Sequence, residues 1–263
     1  MPILEDEGLI LRSLRYGDTS RIVTLLTKRY GKIHGIAKGA RDMKSPFSGA
    51  LEVLTRVEVT FYFKKSRTLH FLKAAAAERA FLAILSSPPA FCLASAALEF
   101  VDRVLPDEDP CGAVYAGLLR FLEGTESAPE NPRGEIRLKA FQLHTVCLLG
   151  YAPQLDHCTR CGGPAVPNAG FGVSEGGLVC RRCRGEGRIL PLSPEALRAL
   201  RVIVESAATL ADRPPAATDR AVSAADRELE AVAEAFLRYH VTGYRGLRSL
   251  RSLTEWRGIS PQT

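Results

Sequence analysis

The sequence predicts an α+β chain of several domains: an N-terminal OB-fold-like β-barrel, then an all-α helical domain with an inserted four-cysteine zinc module. Three observations predict it. Apolar and polar residues alternate with the period of half-buried strands through the first 78 residues. Beyond them the apolar spacing turns helical. Four of the seven cysteines then fall into a C-x2-C-x18-C-x2-C pattern. The expected divisions are 1–78, 79–155, 156–188 and 189–263. The whole chain has 263 residues, 46% of them hydrophobic and 24% charged, which excludes a mainly disordered protein.

The clearest strand is 57–64, where Val57, Val59, Phe61 and Phe63 alternate with Glu58, Thr60, Tyr62 and Lys64. Further strand-like runs are 8–14, 20–27, 32–38 and 68–73, with turn signals at Gly17-Asp18 and Tyr30-Gly31. Five short strands in so few residues suggest a small barrel. An OB-fold fits that count, and an SH3-like barrel is the structural alternative. Helical spacing is expected after Ala74. In 90–105, Leu93, Ala97, Phe100, Val101 and Val104 lie on one side, and 111–123 and 135–149 are further helix candidates. Ser193-Pro194-Glu195 opens another helix with a capping side chain, a proline and an acid in the first turn. Asp212-Arg213-Pro214-Pro215 is expected to end it. The last long helix, 223–241, carries Leu229, Val232, Ala233, Phe236, Leu237 and His240 as one stripe.

Net charge is +6, and it is unevenly placed. Residues 1–78 hold 14 Lys and Arg against 8 Asp and Glu, whereas the rest of the chain holds 21 of each sign. This asymmetry points the first third at a polyanion, most often nucleic acid. The candidate DNA-binding side chains are Arg12, Arg15, Arg21, Lys32, Lys38, Arg41, Lys44, Lys64, Lys65 and Arg67. Lys32, His34 and Lys38 share one face of their strand by period two. Tyr62 lies on the polar face of its strand, where it either stacks on a base or packs on a neighbour, the latter being the commoner use. A second basic feature is 244–251, with arginines at every third residue. It reads first as an amphipathic tail closing the helical domain and second as a DNA contact.

Cys158, Cys161, Cys180 and Cys183 have tetrathiolate spacing. Each C-x-x-C turns sharply enough to aim two sulfurs at one point, and two such knuckles make the S4 cage that suits one structural zinc ion. Arg160, Arg181, Arg182 and Arg184 can offset the thiolate charge. Four thiolates leave no open position for a catalytic water. Without metal the insert is expected to unfold. Cys92, Cys111 and Cys147 read as small buried hydrophobes, and His157 as a surface side chain. An odd cysteine count argues against a disulfide framework.

Gly172-Val173-Ser174-Glu175-Gly176 has the letters of a hydrolase nucleophile elbow, but it lies between the zinc knuckles and reads as a turn. The dinucleotide fingerprint, the phosphate-binding loop and the H-E-x-x-H motif are absent from the sequence. No catalytic residue is expected. No run reads as a secretory signal or a membrane span, and the simplest compartment is the cytosol.

Together these residues resemble the RecO family of recombination mediators. The matching stretches are Tyr30-Gly31-Lys32-Ile33, Ala37-Lys38-Gly39-Ala40-Arg41, Lys44-Ser45 before Phe47, and Gly49-Ala50-Leu51-Glu52. Phe61-Tyr62 follows, and then 148–155, running into Cys158, Cys161 and Gly162. The resemblance implies an N-terminal OB-fold, a helical domain and a four-cysteine zinc module. It implies binding to single- and double-stranded DNA, annealing of complementary strands and partnership with RecR in loading RecA onto DNA coated by single-strand-binding protein. It also implies that the helical domain holds the acidic C-terminal tail of that coating protein, and that the protein works at the bacterial nucleoid. The family's basic loop corresponds to Lys38, Arg41 and Lys44. Asp42 stands where many relatives have another basic residue, and His144 where arginine is common. A zinc-ribbon RNA- or duplex-DNA-binding regulator, and a zinc- or thiol-dependent enzyme, are the competing classes.

Overall fold

The computed structural model describes residues 2–42, 44–47, 49–64, 67–164, 169–208 and 223–259. Chain contacts divide it into two units, Met1–Ser127 and Ala128–Thr263. The first unit begins with five strands, β1 (Ile3–Tyr16), β2 (Ser20–Thr27), β3 (Gly31–Ala37), β4 (Thr55–Tyr62) and β5 (His70–Ala80). They close a barrel in the order β1-β2-β3-β5-β4, with β4 returning to β1 and a parallel β3–β5 pairing. This is the OB-fold arrangement, not the SH3-like alternative.

One strand makes closure possible. β1 is long enough to pair with β4 through its first half and with β2 through its second, with a bulge between Ile10 and Arg12. Val23, Leu25, Ile33, Val57, Val59, Phe61 and Leu72 point inward and form the barrel core, joined by Phe47, Ala50 and Leu51 from the β3–β4 connection. The inward residues of β4 are those that the sequence alternation predicts.

The helical spacing expected from Ala74 onward is not what forms. Residues 74–80 continue β5, with Ala74 to Ala77 opposite Thr60 to Val57 and Ala80 opposite Thr55. Alanine favours helices locally, but here β4 offers a complete ladder of backbone partners, and tertiary pairing overrides a weak local preference. Helices α1 (Leu82–Ser86), α2 (Pro88–Val104) and α3 (Gly112–Ser127) complete this unit. The Ser87 side chain caps α2, and prolines occupy its first turn.

The second unit holds α4 (Gly134–Leu148), α5 (Pro194–Ala208), α6 (Ala224–His240) and α7 (Arg248–Ile259). Between α4 and α5 lie three short strands, β6 (Gly170–Gly172), β7 (Gly177–Val179) and β8 (Ile189–Leu190), in the order β7-β6-β8. α6 opens on a capping box made by Ser223 and Asp226, and the sequence stripe of Leu229, Val232, Ala233, Phe236 and Leu237 is buried. Phe236 packs edge-on against Phe171, and the His240 Nε2 is 2.7 Å from the Val173 carbonyl oxygen, so α6 carries the β6–β7 hairpin. The expected helix end at 212–215 lies outside the described residues. Among the described residues no helix is long and apolar enough to cross a membrane.

Candidate nucleic-acid interface and metal centre

The barrel sorts its cations into two sets. In the first, carboxylates neutralise the charge. The Lys32 side chain points out of the barrel, as period two predicts, but the segment after α2 covers it. Only 7% of Lys32 is exposed. Its Nζ donates to the Asp102 carbonyl oxygen at 2.6 Å and lies 3.1 Å from Asp107 and 3.7 Å from the Asp102 carboxylate. His34 meets Asp107 at 3.2 Å. For Asp107, burial acts to raise the carboxyl pKa, but Lys32 and then His34 outweigh it and hold it below the usual range. Lys32 therefore departs from the expectation that it reaches phosphate: its ammonium is a buried link between β3 and the α2–α3 connection. Arg21 is likewise engaged, with Glu52 at 2.7 Å and the Ser13 hydroxyl at 3.0 Å. Arg12 is mostly exposed and sits 4.0 Å from Asp102.

The second set is exposed. Arg15, Lys38, Lys44, Lys64 and Arg67 make no ion pair among the described residues, and neither does Lys73 of β5, which the sequence reading passed over. Period two alone flags Lys73, since it lies two residues after Phe71 on the outer face of β5. Arg41 is also exposed, and its guanidinium donates to the Asp18 carbonyl oxygen at 2.7 Å. The Arg41 backbone N–H bonds to Thr19, which sets the basic loop against the tip of the β1–β2 hairpin. Turn bonds from Asp42 to Gly39 and from Ser45 to Asp42 hold that loop in shape. Gly39 has φ of +66°, a left-handed conformation that favours glycine. Lys38 Nζ lies 5.1 Å from the centre of the Phe71 ring. Lys65 lies outside the described residues.

The four predicted cysteines come together. Their sulfurs all lie within 4.8 Å of one another, with Cys161 and Cys180 at 3.9 Å. Four sulfurs around one zinc ion at about 2.3 Å stand about 3.8 Å apart, so the cluster has the size of a tetrathiolate cage and could hold a metal ion. The knuckles are built as their spacing requires. Gly162, with φ of +68°, turns the first, and its N–H bonds to the Cys158 carbonyl. A 3-10 turn, Arg181–Cys183, forms the second. Burial acts to raise the Cys158 thiol, but the N–H groups of Cys180, Arg160 and Cys161 outweigh it and bring it down to about 6. Hydrogen bonds with Cys161 and Cys180 push Cys183 up to about 12.

Arg160 braces the module rather than facing solvent alone. It bonds to the Cys183 carbonyl at 2.7 Å and to Glu175 and the Glu186 carbonyl. Arg181 and Arg182 remain exposed. His157 is exposed, as expected. Ser174 sits in the turn between β6 and β7, so the elbow-like motif is a hairpin turn and not the strand-to-helix corner a nucleophile needs. Cys92, Cys111 and Cys147 are half-buried instead of fully enclosed. His144, in contrast, is enclosed within α4 and its neighbours. In the basic tail, Tyr244, Leu247 and Leu253 are buried while Arg245, Arg248 and Arg251 are exposed, which is the amphipathic pattern of a closing segment.

Residues 1–81 match the family model for the recombination protein O N-terminal region, and residues 85–251 match the one for its C-terminal region. A DNA repair protein RecO of Streptomyces coelicolor is 34% identical over 260 residues, covering 95% of this chain and 98% of that protein. One from Anaeromyxobacter dehalogenans is 32% identical over 250 residues, with 94% of each chain covered. One from Thermobifida fusca is 32% identical over 257 residues, with 95% and 98% covered. An OB barrel with unpaired exposed cations, a helical part with a four-cysteine cluster, and matches along nearly the whole sequence agree: the chain belongs to the RecO family of DNA repair proteins.

Proposed function

We propose that the protein is a DNA-binding recombination mediator that anneals complementary single strands. The observation that carries this reading is the set of exposed cations on the barrel without carboxylate partners, among them Lys38, Arg41, Lys44, Lys64 and Arg67. Cations free of internal pairs gain most from phosphate, because contact releases the counterions condensed on DNA. Neutralising two strands lets them approach, while contacts confined to the backbone leave the bases free to pair. No bond is made or broken in such a step, and no catalytic residue is assigned.

The four cysteines, Cys158, Cys161, Cys180 and Cys183, hold one structural zinc ion on this reading, which ties the two knuckles together. RecR and the acidic tail of single-strand-binding protein are the proposed protein partners, the latter docking on the helical part. With RecR the protein helps load RecA onto coated DNA at the nucleoid. The test is annealing of two complementary oligonucleotides coated with single-strand-binding protein, followed by fluorescence transfer across a salt series. Acceleration without ATP, fading as salt rises, is expected. No acceleration at low salt from a folded, zinc-loaded protein would overturn the reading.

A further inference from the structure

The four cysteines of the cluster are not equivalent. Cys158 and Cys180 are buried, Cys183 is half-buried and Cys161 is exposed. A small molecule in solution therefore meets the Cys161 sulfur first. The Cys158 sulfur is further shielded by the Cys180 N–H, which donates to it at 3.3 Å. A sulfur that holds a metal is a thiolate, and an accessible thiolate is the form that oxidants attack. Two cysteines outside the cluster compete poorly. Burial pushes the Cys147 thiol up to about 12 and raises Cys92 as well, so both stay protonated at neutral pH.

Backbone pairing brings a second sulfur within reach. The Cys180 Sγ lies 3.9 Å from the Cys161 Sγ. β7 runs directly into Cys180, and the first knuckle is laid along β7. The Thr159 N–H bonds to the Leu178 carbonyl at 2.8 Å, and the Leu178 N–H to the Gln154 carbonyl at 2.9 Å. These bonds keep Cys161 beside Cys180 whether or not a metal joins them.

We propose that the four-cysteine module is a peroxide-sensitive switch: hydrogen peroxide oxidises Cys161, Cys180 closes a disulfide on it, and the metal is released. The inference rests on the zinc reading of the module and adds to it a response to oxidant. The Cys161 thiolate attacks one peroxide oxygen, so that an S–O bond forms, the O–O bond breaks and hydroxide leaves. The Cys180 thiolate then attacks the Cys161 sulfur, forming the S–S bond and expelling a second hydroxide. Both hydroxides take protons from solvent. The sulfurs lose two electrons in all, and the peroxide gains them. Cys158 and Cys183 are left, and two thiolates do not complete the four-ligand set of a structural site. The β6–β7 hairpin stays on α6 through Phe171 and Val173, so the loosening falls on the turn Arg181–Cys183 and the segment after it.

The test treats the zinc-loaded full chain with hydrogen peroxide, follows free zinc with a chromogenic chelator, and maps the cysteines by alkylation, trypsin and mass spectrometry. Cys161 and Cys180 fall in one tryptic peptide, 161–181, whereas Cys158 falls in 140–160 and Cys183 in 183–184. One zinc per chain should be released as peptide 161–181 becomes two hydrogens lighter and loses both alkyl groups. Dithiothreitol with added zinc should reverse both changes. Cys161→His keeps a three-cysteine, one-histidine ligand set and should release zinc roughly tenfold more slowly or less. Cys92→Ser should release it at the parent's rate. Zinc retained in excess peroxide would overturn the switch. A disulfide joining 161–181 to 140–160 or to 183–184 would overturn the pairing, and equal release from the parent and Cys161→His would overturn the role of Cys161. Should that variant take up no metal, the peptide map of the parent decides. A parent chain that takes up no zinc would instead overturn the zinc reading itself.

Discussion

The double reversal Lys38→Glu with Arg41→Glu tests the division of the barrel's cations. Six of the cations read from the sequence as DNA contacts, Arg15, Lys38, Arg41, Lys44, Lys64 and Arg67, are exposed without a carboxylate partner among the described residues. If each meets one phosphate of a single strand, about 0.7 counterions are released per contact, and log K should fall with log salt at a slope near −4. The double variant loses two contacts, so the slope should relax to about −3. Referred to 1 M salt, those two contacts are worth roughly 25-fold in affinity at 0.1 M. Lys32→Met is the internal control. Lys32 is as basic in sequence, but its ammonium is held by Asp102 and Asp107, so its loss should leave the slope alone. It should instead lower stability by about 2 kcal/mol, because a charged hydrogen-bonded pair is broken while Asp107 keeps some access to water. The assay is anisotropy of a labelled oligonucleotide at five salt concentrations, with thermal melting of each variant. An unchanged slope in the double variant would refute the assignment, as would a Lys32→Met variant whose slope shifts equally.

Further outcomes are expected. Titration with a mercurial thiol reagent should release one zinc per chain. The stripped protein should then be cut by trypsin at the exposed Arg181 and Arg182, whereas Cys180→Ser should copurify with little metal. Gly31→Ala should cost more than about 2 kcal/mol in denaturant melts, since Gly31 has φ of +70° and an added Cβ would run into the backbone of Asp109. Glu234 is partly buried, which acts to raise its pKa. Lys139 at 2.5 Å, with Arg238 and the Tyr244 hydroxyl, outweighs that and holds it below its ordinary 4.5. Its contribution is therefore complete above pH 4.5 and is lost as pH falls through the lower folded value. Glu234→Gln should melt below the parent at pH 7, and the gap should close below pH 4.5. A gap that did not narrow as pH fell below 4.5 would contradict the ion-pair account.

Much of this protein is legible in its sequence because the signals are local. β4 buries Val57, Val59 and Phe61, as its residues predict, since a strand of alternating side chains has one way to bury its apolar face. α6 begins at its capping box and buries its stripe because both are set within a few residues. The cysteine quartet follows from spacing alone. Tertiary structure decided what depends on distant partners. Residues 74–80 are strand because β4 lies beside them, and no window of alanines contains that information. Lys32 on β3 and Lys38 just past its end fall on one face of the sequence alternation, and period two treats them alike. Only the α2–α3 connection, some 70 residues on, separates a buried structural ammonium from one open to phosphate. Three ladder registers act at once before Leu14, Ile22, Ile36 and Phe71 become neighbours across β1, β2, β3 and β5. Side-chain type and period are properties of a segment, whereas the access of a charge or an apolar face to solvent depends on what the rest of the fold lays over it.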